Sequence, residues 1–317
     1  MNNQVLDGVM GLAVADALGV PVEFKDRKEL EENPVMSMRE YGTYNQPAGT
    51  WSDDTSMTLA LVDSLANGLD YEDIMNRFYK WLSEAKYTPH GTVFDVGIGT
   101  HRAIDRFTAG TPALECGGTS ERDNGNGSLM RILPIFYYLQ STYGKSFLKY
   151  QESFDVIHNL SSLTHAHKRS QIACGIYISI ASEISKQESL NQAVKSGLYQ
   201  AMAYYQKEDE FLLELNHFDR LEEFAQLPKE EIRSSGYVVD TLEAALWCLL
   251  TTEGYQACVL KAVNLGKDTD TVAAVAGGLA GIFYGYENIP KEWLNTIVQK
   301  RYIEELCRKL EISLDKK

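Results

Sequence analysis

The chain is short of positive charge. Thirty lysines and arginines stand against 44 aspartates and glutamates over 317 residues, a formal net charge of −14. That balance disfavours nonspecific contact with nucleic acid or anionic membranes. Its five cysteines are scattered and form no CxxC pair, which argues against a disulfide framework or a thiolate zinc motif. Cys174 and Cys248 lie in apolar runs and read as small core residues, so a reducing compartment, the cytoplasm, is expected. No uninterrupted apolar stretch of ~20 residues occurs, and no membrane span is expected. The opening MNNQVLDGVMGLAVADALG lacks a basic start and carries Asp7 and Asp16; it is not read as a signal peptide. HExxH and other zinc patterns are missing, as are internal repeats and any Ser/Gly/Pro-rich linker.

Strand-like alternation is also nearly absent. What is there is a helical period. Met57, Leu61 and Leu65 recur every four residues, with Leu59 and Val62 widening the stripe. Similar patterns predict helices over roughly 71–86, 91–107, 127–140, 153–163, 167–186, 189–206, 238–252, 255–265, 271–285 and 291–309. A single large all-α domain spanning 1–317 is the expectation. Two lines of small residues stand at i, i+4 spacing: Gly11, Ala15 and Gly19, and Ala273, Gly277, Gly281 and Gly285. Glycine costs ~1 kcal/mol relative to alanine inside a helix, so such repetition suggests that another backbone approaches closely. The run EELCRKLEISLDKK reads as a solvated helix and tail, and Tyr199, Tyr204 and Tyr205 as packing residues.

Two helix starts are unusually acidic. In GTWSDDTSMTLALVDSL, Ser52, Asp53 and Asp54 precede an amphipathic helix; in GKDTDTVAAVAGGLAGIFYG, Asp268, Asp270 and Thr271 do the same. Ser, Thr and Asp are preferred N-caps, and capping alone accounts for one such cluster. Two clusters supply far more oxygen than caps require. Converged in space, they would form a hard, anionic site suited to Mg²⁺ or Mn²⁺. Without cations, that many buried carboxylates raise one another's pKa.

With these motifs in order, SDDTSM, then GNGSLMRILPI, then GKDTDTVAAVAGGLAGIFYG, the chain resembles the ADP-ribosylglycohydrolase family, and GVMGLAVADALGVPVEF resembles that family's opening helix and acidic loop. The resemblance implies an orthogonal all-α fold with a binuclear metal cleft holding two divalent cations, Mg²⁺ or Mn²⁺. It implies metal ligands at Ser52, Asp53, Asp54, Asp268, Asp270 and Thr271, with Asp270 as the bridge. Glu23 corresponds to a loop glutamate near the reacting centre, and Asp95 of VFDVGIGT to a substrate-side aspartate. Asn126, Gly127 and Ser128 would line the ADP-ribose cleft, with His165 near the distal ribose or diphosphate. The chain departs from the family pattern at Ala15 and Lys267, where glycine is common, and at Ser52, where threonine is common.

The function implied is metal-dependent hydrolysis of the glycosidic bond between ADP-ribose and an acceptor, on an ADP-ribosylated protein or a small conjugate. The carboxylate that activates water is one of Glu23, Asp53, Asp54 and Asp95. An ADP-ribose-binding module without turnover is the alternative, and a helical metal-dependent phosphohydrolase a further one. Arg131 suits either a phosphate or an inner carboxylate. His165 and His167 fall on different sides of a helix, poor geometry for two ligands on one face.

Overall fold

Fourteen α-helices carry the described residues of the computed structural model, 4–186 and 189–316. They are α1 (Gln4–Gly19), α2 (Arg27–Glu32), α3 (Asp53–Leu65), α4 (Tyr71–Glu84), α5 (Ile98–Thr108), α6 (Pro134–Tyr143) and α7 (Gln151–Ser162). Then come α8 (Lys168–Ile184), α9 (Leu190–Tyr205), α10 (Val238–Leu250), α11 (Tyr255–Val263), α12 (Thr269–Tyr284), α13 (Lys291–Thr296) and α14 (Lys300–Leu314). Among these residues there is no strand, only the isolated bridges Gly118–His165 and Gly125–Tyr237. The all-α expectation holds.

The centre is α1 against α12. A Cβ on Gly11 would lie 2.5 Å from the Gly277 carbonyl oxygen, and one on Gly281 would lie 2.2 Å from that of Asp7. At the other end, a Cβ on Gly19 would lie 2.3 Å from the Asp270 Cα. Rising numbers on α1 meet falling numbers on α12, so the helices run antiparallel. The C-terminal end of α1 therefore abuts the N-terminal end of α12. The small-residue lines exist because the two backbones touch. Tyr255 Oη locks the arrangement by donating to the Gly11 carbonyl at 2.6 Å, and Tyr177 Oη donates to that of Val275 at 3.0 Å.

Other helices shield this pair: α8, α10 and α11 pack on α12, and α3 and α14 on α1. The segment Gln4–Val22 is long and apolar enough to cross a membrane by composition, yet 89% of its most apolar window is buried inside the protein. Its apolarity is spent on α12 and the surrounding core.

Three of the expected helices differ from the periodicity in their bounds. Residues 91–97 are irregular and α5 begins only at Ile98, so Asp95 stands in a loop rather than a helix. The 127–140 pattern divides into a 3₁₀ turn, Leu129–Arg131, and α6, whose first residue Pro134 brings no N–H and a preset φ. The 291–309 pattern breaks at Gln299, φ 50°, where the Val298 N–H turns to the Gly49 carbonyl at 3.0 Å. The C-terminal run is not fully solvated: Ile303, Leu306, Cys307 and Leu310 of α14 are buried. In the tyrosine-rich helix, Tyr204 stacks on Phe154 with ring centroids 3.7 Å apart and Tyr205 is buried, so both serve packing.

Gly281→Ala tests the central contact. In an open helix the change gains ~1 kcal/mol; here the new methyl meets the Asp7 carbonyl. The melting temperature is expected to fall, by more for Gly281→Leu, whose overpacking costs ~1–3 kcal/mol or more. An unchanged or raised melting temperature in Gly281→Ala would show that α1 and α12 can separate freely.

Candidate active site

The two acidic helix starts meet. Thr271 Oγ1 donates to Asp54 Oδ2 at 3.3 Å, a contact spanning 217 positions of sequence. Ser52 Oγ donates to the same oxygen at 3.1 Å. Asp54 is thus gripped by hydroxyls from both motifs.

Ser52 is the N-cap of α3, its Oγ accepting Asp54 N at 3.4 Å, and a residue that the motif does not contain completes the capping. Asp16, fully buried on α1, accepts from Ser52 N at 3.0 Å, Thr55 N at 3.1 Å and Thr55 Oγ1 at 2.6 Å. An acid from a neighbouring helix satisfies the exposed donors, which leaves Asp53 and Asp54 free for the cleft. The sequence signal was a lone carboxylate inside an apolar helix, read only as an interruption.

On α12, Thr269 Oγ1 donates to the Gly19 carbonyl at 2.8 Å, and the Asp268 N–H to that of Ser234 at 3.0 Å. Asn126 Nδ2 reaches Asp268 Oδ2 at 2.8 Å and Thr241 Oγ1 at 2.9 Å. Asn126 is therefore a direct partner of the acidic cluster as well as a lining residue.

Lys267, where the family favours glycine, has φ 65°, and Phe24 opposite it has φ 64°. The Phe24 N–H donates to the Lys267 carbonyl at 2.7 Å, and the Lys267 N–H to that of Lys25 at 2.8 Å. This clasp fastens the Glu23 loop to the start of α12. A left-handed lysine costs roughly 1–2 kcal/mol that glycine would not. Its ammonium pairs with exposed Asp26, outside the cluster.

A cleft of ≈ 520 Å³ opens over these groups. Glu23, Asp53, Asp95, Asp268 and Thr271 line it together with Asn126, Gly127 and His165. Arg102 and Arg122 also line it, and both are exposed. Ser52, Asp54 and Asp270 are 1–2% exposed and lie in its floor. Ser128 departs from the expected lining role: its side chain is buried and accepts from Ser161 Oγ at 2.9 Å. Arg131 pairs with neither phosphate nor carboxylate. Buried, it donates to the carbonyls of Gly127 and Leu160 and lies 5.0 Å from the Phe78 ring centre, bracing the loop from behind.

His165 is packed among glycines. A Cβ on Gly127 would lie 2.7 Å from its Cε1, and one on Gly99 2.9 Å from its Nε2. Nδ1 pairs with Thr164 Oγ1 at 2.8 Å. Burial, with Arg131 nearby, pushes its pKa down to about 3, so the ring is neutral and directs Nε2 at the cleft wall. His167 instead accepts from Arg169 N at 3.2 Å, capping α8 on another side.

Electrostatics dominates the acidic end. Carboxylate oxygens of Glu23, Asp95 and Asp270 all lie within 4.8 Å of one another. Burial first, and Asp95 second, push Glu23 up to about 8. Burial raises Asp53, Asp54 and Asp270 well above the carboxylate range, reinforced mainly by Asp95, Asp16 and Glu23 respectively. Asp54 Oδ1 and Glu23 Oε2 are buried without any hydrogen-bond partner. Another group with metal-ligand spacing, Glu121, His167 and Glu214, is already closed by Arg169, at 2.9 Å from Glu121 and 2.7 Å from Glu214.

Comparison with known proteins agrees with this geometry. The profile of the family described as ADP-ribosylglycohydrolase matches residues 1–317. An ADP-ribosylarginine hydrolase, Tri1 of Serratia proteamaculans, is 31% identical over 304 residues, covering 95% of this chain and 77% of its own. The ADP-ribosyl-[dinitrogen reductase] glycohydrolase of Rhodospirillum rubrum is 30% identical over 305 residues, covering 95% and 92%. A solved ADP-ribosylglycohydrolase-related protein complex superimposes with a TM-score of 0.78 at 28% identity over 98% of both chains.

Two outcomes follow from the geometry. For Glu23 the folded pKa lies above its ordinary 4.5, so the native state holds more protons than the unfolded chain. The metal-free protein should therefore lose stability as pH rises from 4.5 to about 8, and Mg²⁺ or Mn²⁺ should restore most at the upper end. A flat melting profile across that window in chelator would contradict the charge crowding. Separately, Lys267→Gly should melt at or above the wild-type temperature, because it relieves the left-handed backbone; a lower melting temperature would mean that the exposed ion pair outweighs that relief.

Proposed function

Because the chain belongs to the ADP-ribosylglycohydrolase family, we propose that it releases ADP-ribose from arginine side chains of modified proteins. It is a hydrolase acting on the glycosidic bond of ADP-ribosylated substrates. The observation that carries the reading is the junction of the two acidic motifs at Asp54 and Thr271, on the floor of a cleft walled by Gly97, Gly99, Gly125 and Gly127. Glycine walls let a sugar–diphosphate approach the backbone, and the neutral His165 adds a hydrogen-bonding group without adding charge. Two relatives that cover most of this chain are named for ADP-ribosylarginine. The carboxylate-rich end of the cleft also suits a cationic guanidinium better than an anionic acceptor.

The residues fit divalent cations. Every donor is a carboxylate or hydroxyl oxygen, and Asp54 Oδ1 and Glu23 Oε2 are buried with no partner to satisfy them. Ser52, Asp53, Asp54, Asp268, Asp270 and Thr271 would hold the Mg²⁺ or Mn²⁺ ions. Bound there, such ions supply Lewis acidity toward the hydroxyls of the substrate's distal ribose.

The chain's own groups do the rest. Asn126, Gly127 and His165 hold the ADP-ribose and fix the anomeric carbon over the acidic end. Glu23 and Asp95 stand on the open side of the cluster, and from this pair comes the carboxylate that takes the proton from the attacking water. The leaving guanidine nitrogen gains its proton from the same side. A binding module without turnover is disfavoured because the complete carboxylate set is retained at considerable electrostatic cost.

The test is release of ADP-ribose from arginine-linked and serine-linked peptides with Mg²⁺ or Mn²⁺. Turnover is expected on the arginine linkage and should vanish in chelator. Asp270→Asn should weaken metal affinity more than Asp95→Asn. ADP-ribose at 100 times its dissociation constant should add ~2.7 kcal/mol to wild-type stability. Binding of ADP-ribose with no turnover on any linkage would establish the module instead.

A further inference from the structure

The cleft wall assigned above to ADP-ribose is built from two stretches of irregular chain. Residues 122–127 supply Arg122, Asp123, Gly125, Asn126 and Gly127, and a second stretch supplies Gly236. Neither stretch belongs to a helix. They bond to one another through the Asn126 N–H on the Gly236 carbonyl at 3.1 Å and the Val238 N–H on that of Asn124 at 3.0 Å. On its inner side the wall is anchored by Asn126, which holds Asp268 and Thr241. The outer side has no metal motif to fasten it. That task falls to Arg169.

Arg169 stands in the first turn of α8, a helix fixed by its packing on α12. Only 4% exposed, it commits all three guanidinium nitrogens to two carboxylates. Nη1 and Nη2 donate to Glu121 Oε1 at 2.9 Å and Oε2 at 3.3 Å, and Nε donates to Glu214 Oε2 at 2.9 Å. Its guanidinium carbon lies 5.7 Å from the ring centre of Tyr237. Glu121 immediately precedes the first cleft stretch, and Tyr237 immediately follows Gly236. One cation thus grips both stretches at the residue next to the cleft, and Glu214 joins the 3₁₀ run Leu212–Glu222 to the same point. The junction needs a planar fork; a lysine would carry the charge without the two-pronged geometry.

We propose that Arg169 is a positioning residue for ADP-ribose, setting the outer half of the binding wall through Glu121 and Tyr237. It lies behind the wall and touches no substrate itself. The proposal rests on the reading of this cleft as an ADP-ribose site. A wall left unbraced has to be ordered by the ligand on binding, and that ordering is subtracted from the affinity. The effect therefore falls on binding. The acids of the reacting end sit at the starts of α3 and α12 and in the Glu23 and Asp95 loops, none of which Arg169 contacts.

Glu121→Gln breaks the loop arm at a side chain that is 69% exposed, where losing an ion pair costs little stability. Arg169→Lys removes the fork and keeps the charge. On an arginine-linked ADP-ribose peptide, both variants should raise KM by about tenfold, the scale of a substitution that acts without touching the ligand. The ADP-ribose dissociation constant, measured by calorimetry, should rise by the same factor. kcat and Mn²⁺ affinity should stay within about twofold of wild type, the mark of lost ground-state binding. E121Q/R169K should bind ADP-ribose no more weakly than R169K alone, because Glu121 acts through Arg169. Glu210→Gln, which cuts the exposed Lys168–Glu210 pair one residue from Arg169, should change none of these values. Wild-type ADP-ribose affinity in both E121Q and R169K, a fall in kcat at unchanged KM, or additive losses in the double variant would each overturn the proposal. Should R169K fail to fold, E121Q decides it alone. A wild type that binds ADP-ribose but hydrolyses no conjugate would remove the hydrolase reading and leave the affinity changes to decide the proposal; one that does not bind ADP-ribose would overturn both.

Discussion

The close backbone approach of α1 against α12 decides where the molecule's charge can be placed. Gly11, Gly277 and Gly281 let the helices touch, and Gly19 lets the end of α1 reach Asp270. That single contact brings Asp16 beneath the start of α3 and Glu23 beside the start of α12. A few ångströms of extra separation would break the Asp16 bonds to Ser52 and Thr55, and with them the shape of the first motif. The helix pair is therefore more than core: it is the ruler by which the carboxylates are spaced.

Spacing matters because the carboxylates repel. Buried acids within a few ångströms cannot all be charged without cations or protons between them. The fold answers only in part. Asp16 is stabilised by backbone and hydroxyl donors, Asp268 by Asn126, and Asp54 by two hydroxyls. Arg131 is buried close enough to favour the charge on Asp53, yet spends its donors on carbonyls. Orphaned oxygens remain on Asp54 and Glu23, and the remaining charge is what equips the site to take up cations.

Much of this was legible in the sequence. The helix class followed from a 3.6-residue period, a close backbone approach on each of two helices from small residues at i, i+4, and the acidic centre from two hydroxyl–carboxylate clusters at helix starts. What could not be read were contacts made by side chains distant in sequence. Asp16 looked like a defect in an apolar helix because its partners lie on α3. Asp95 looked helical because Phe94, Val96 and Ile98 happen to carry a compatible pattern, whereas the chain stays irregular as far as Gly97 and α5 starts only where Gly99 meets His165. Ser128 looked like part of a phosphate loop, but the 3₁₀ turn that follows rotates it into the core.

The question of why negative charge should sit at the mouth of an apolar helix then has a physical answer. A helix N-terminus stabilises an anion, and its free N–H groups ordinarily take the nearest carboxylate as a cap. At α3 that demand is met by the Ser52 hydroxyl and by Asp16 from another helix, so the carboxylates of the motif escape capture by their own backbone. At α12, Asp270 accepts the Thr271 N–H at 2.9 Å with one oxygen and keeps the other in the cluster. Capping in trans at α3 leaves the motif's carboxylates to offer their oxygens to the site. The apolar bodies of α1 and α12 serve the same end, since a dry, rigid floor keeps water from screening the charge that the site concentrates.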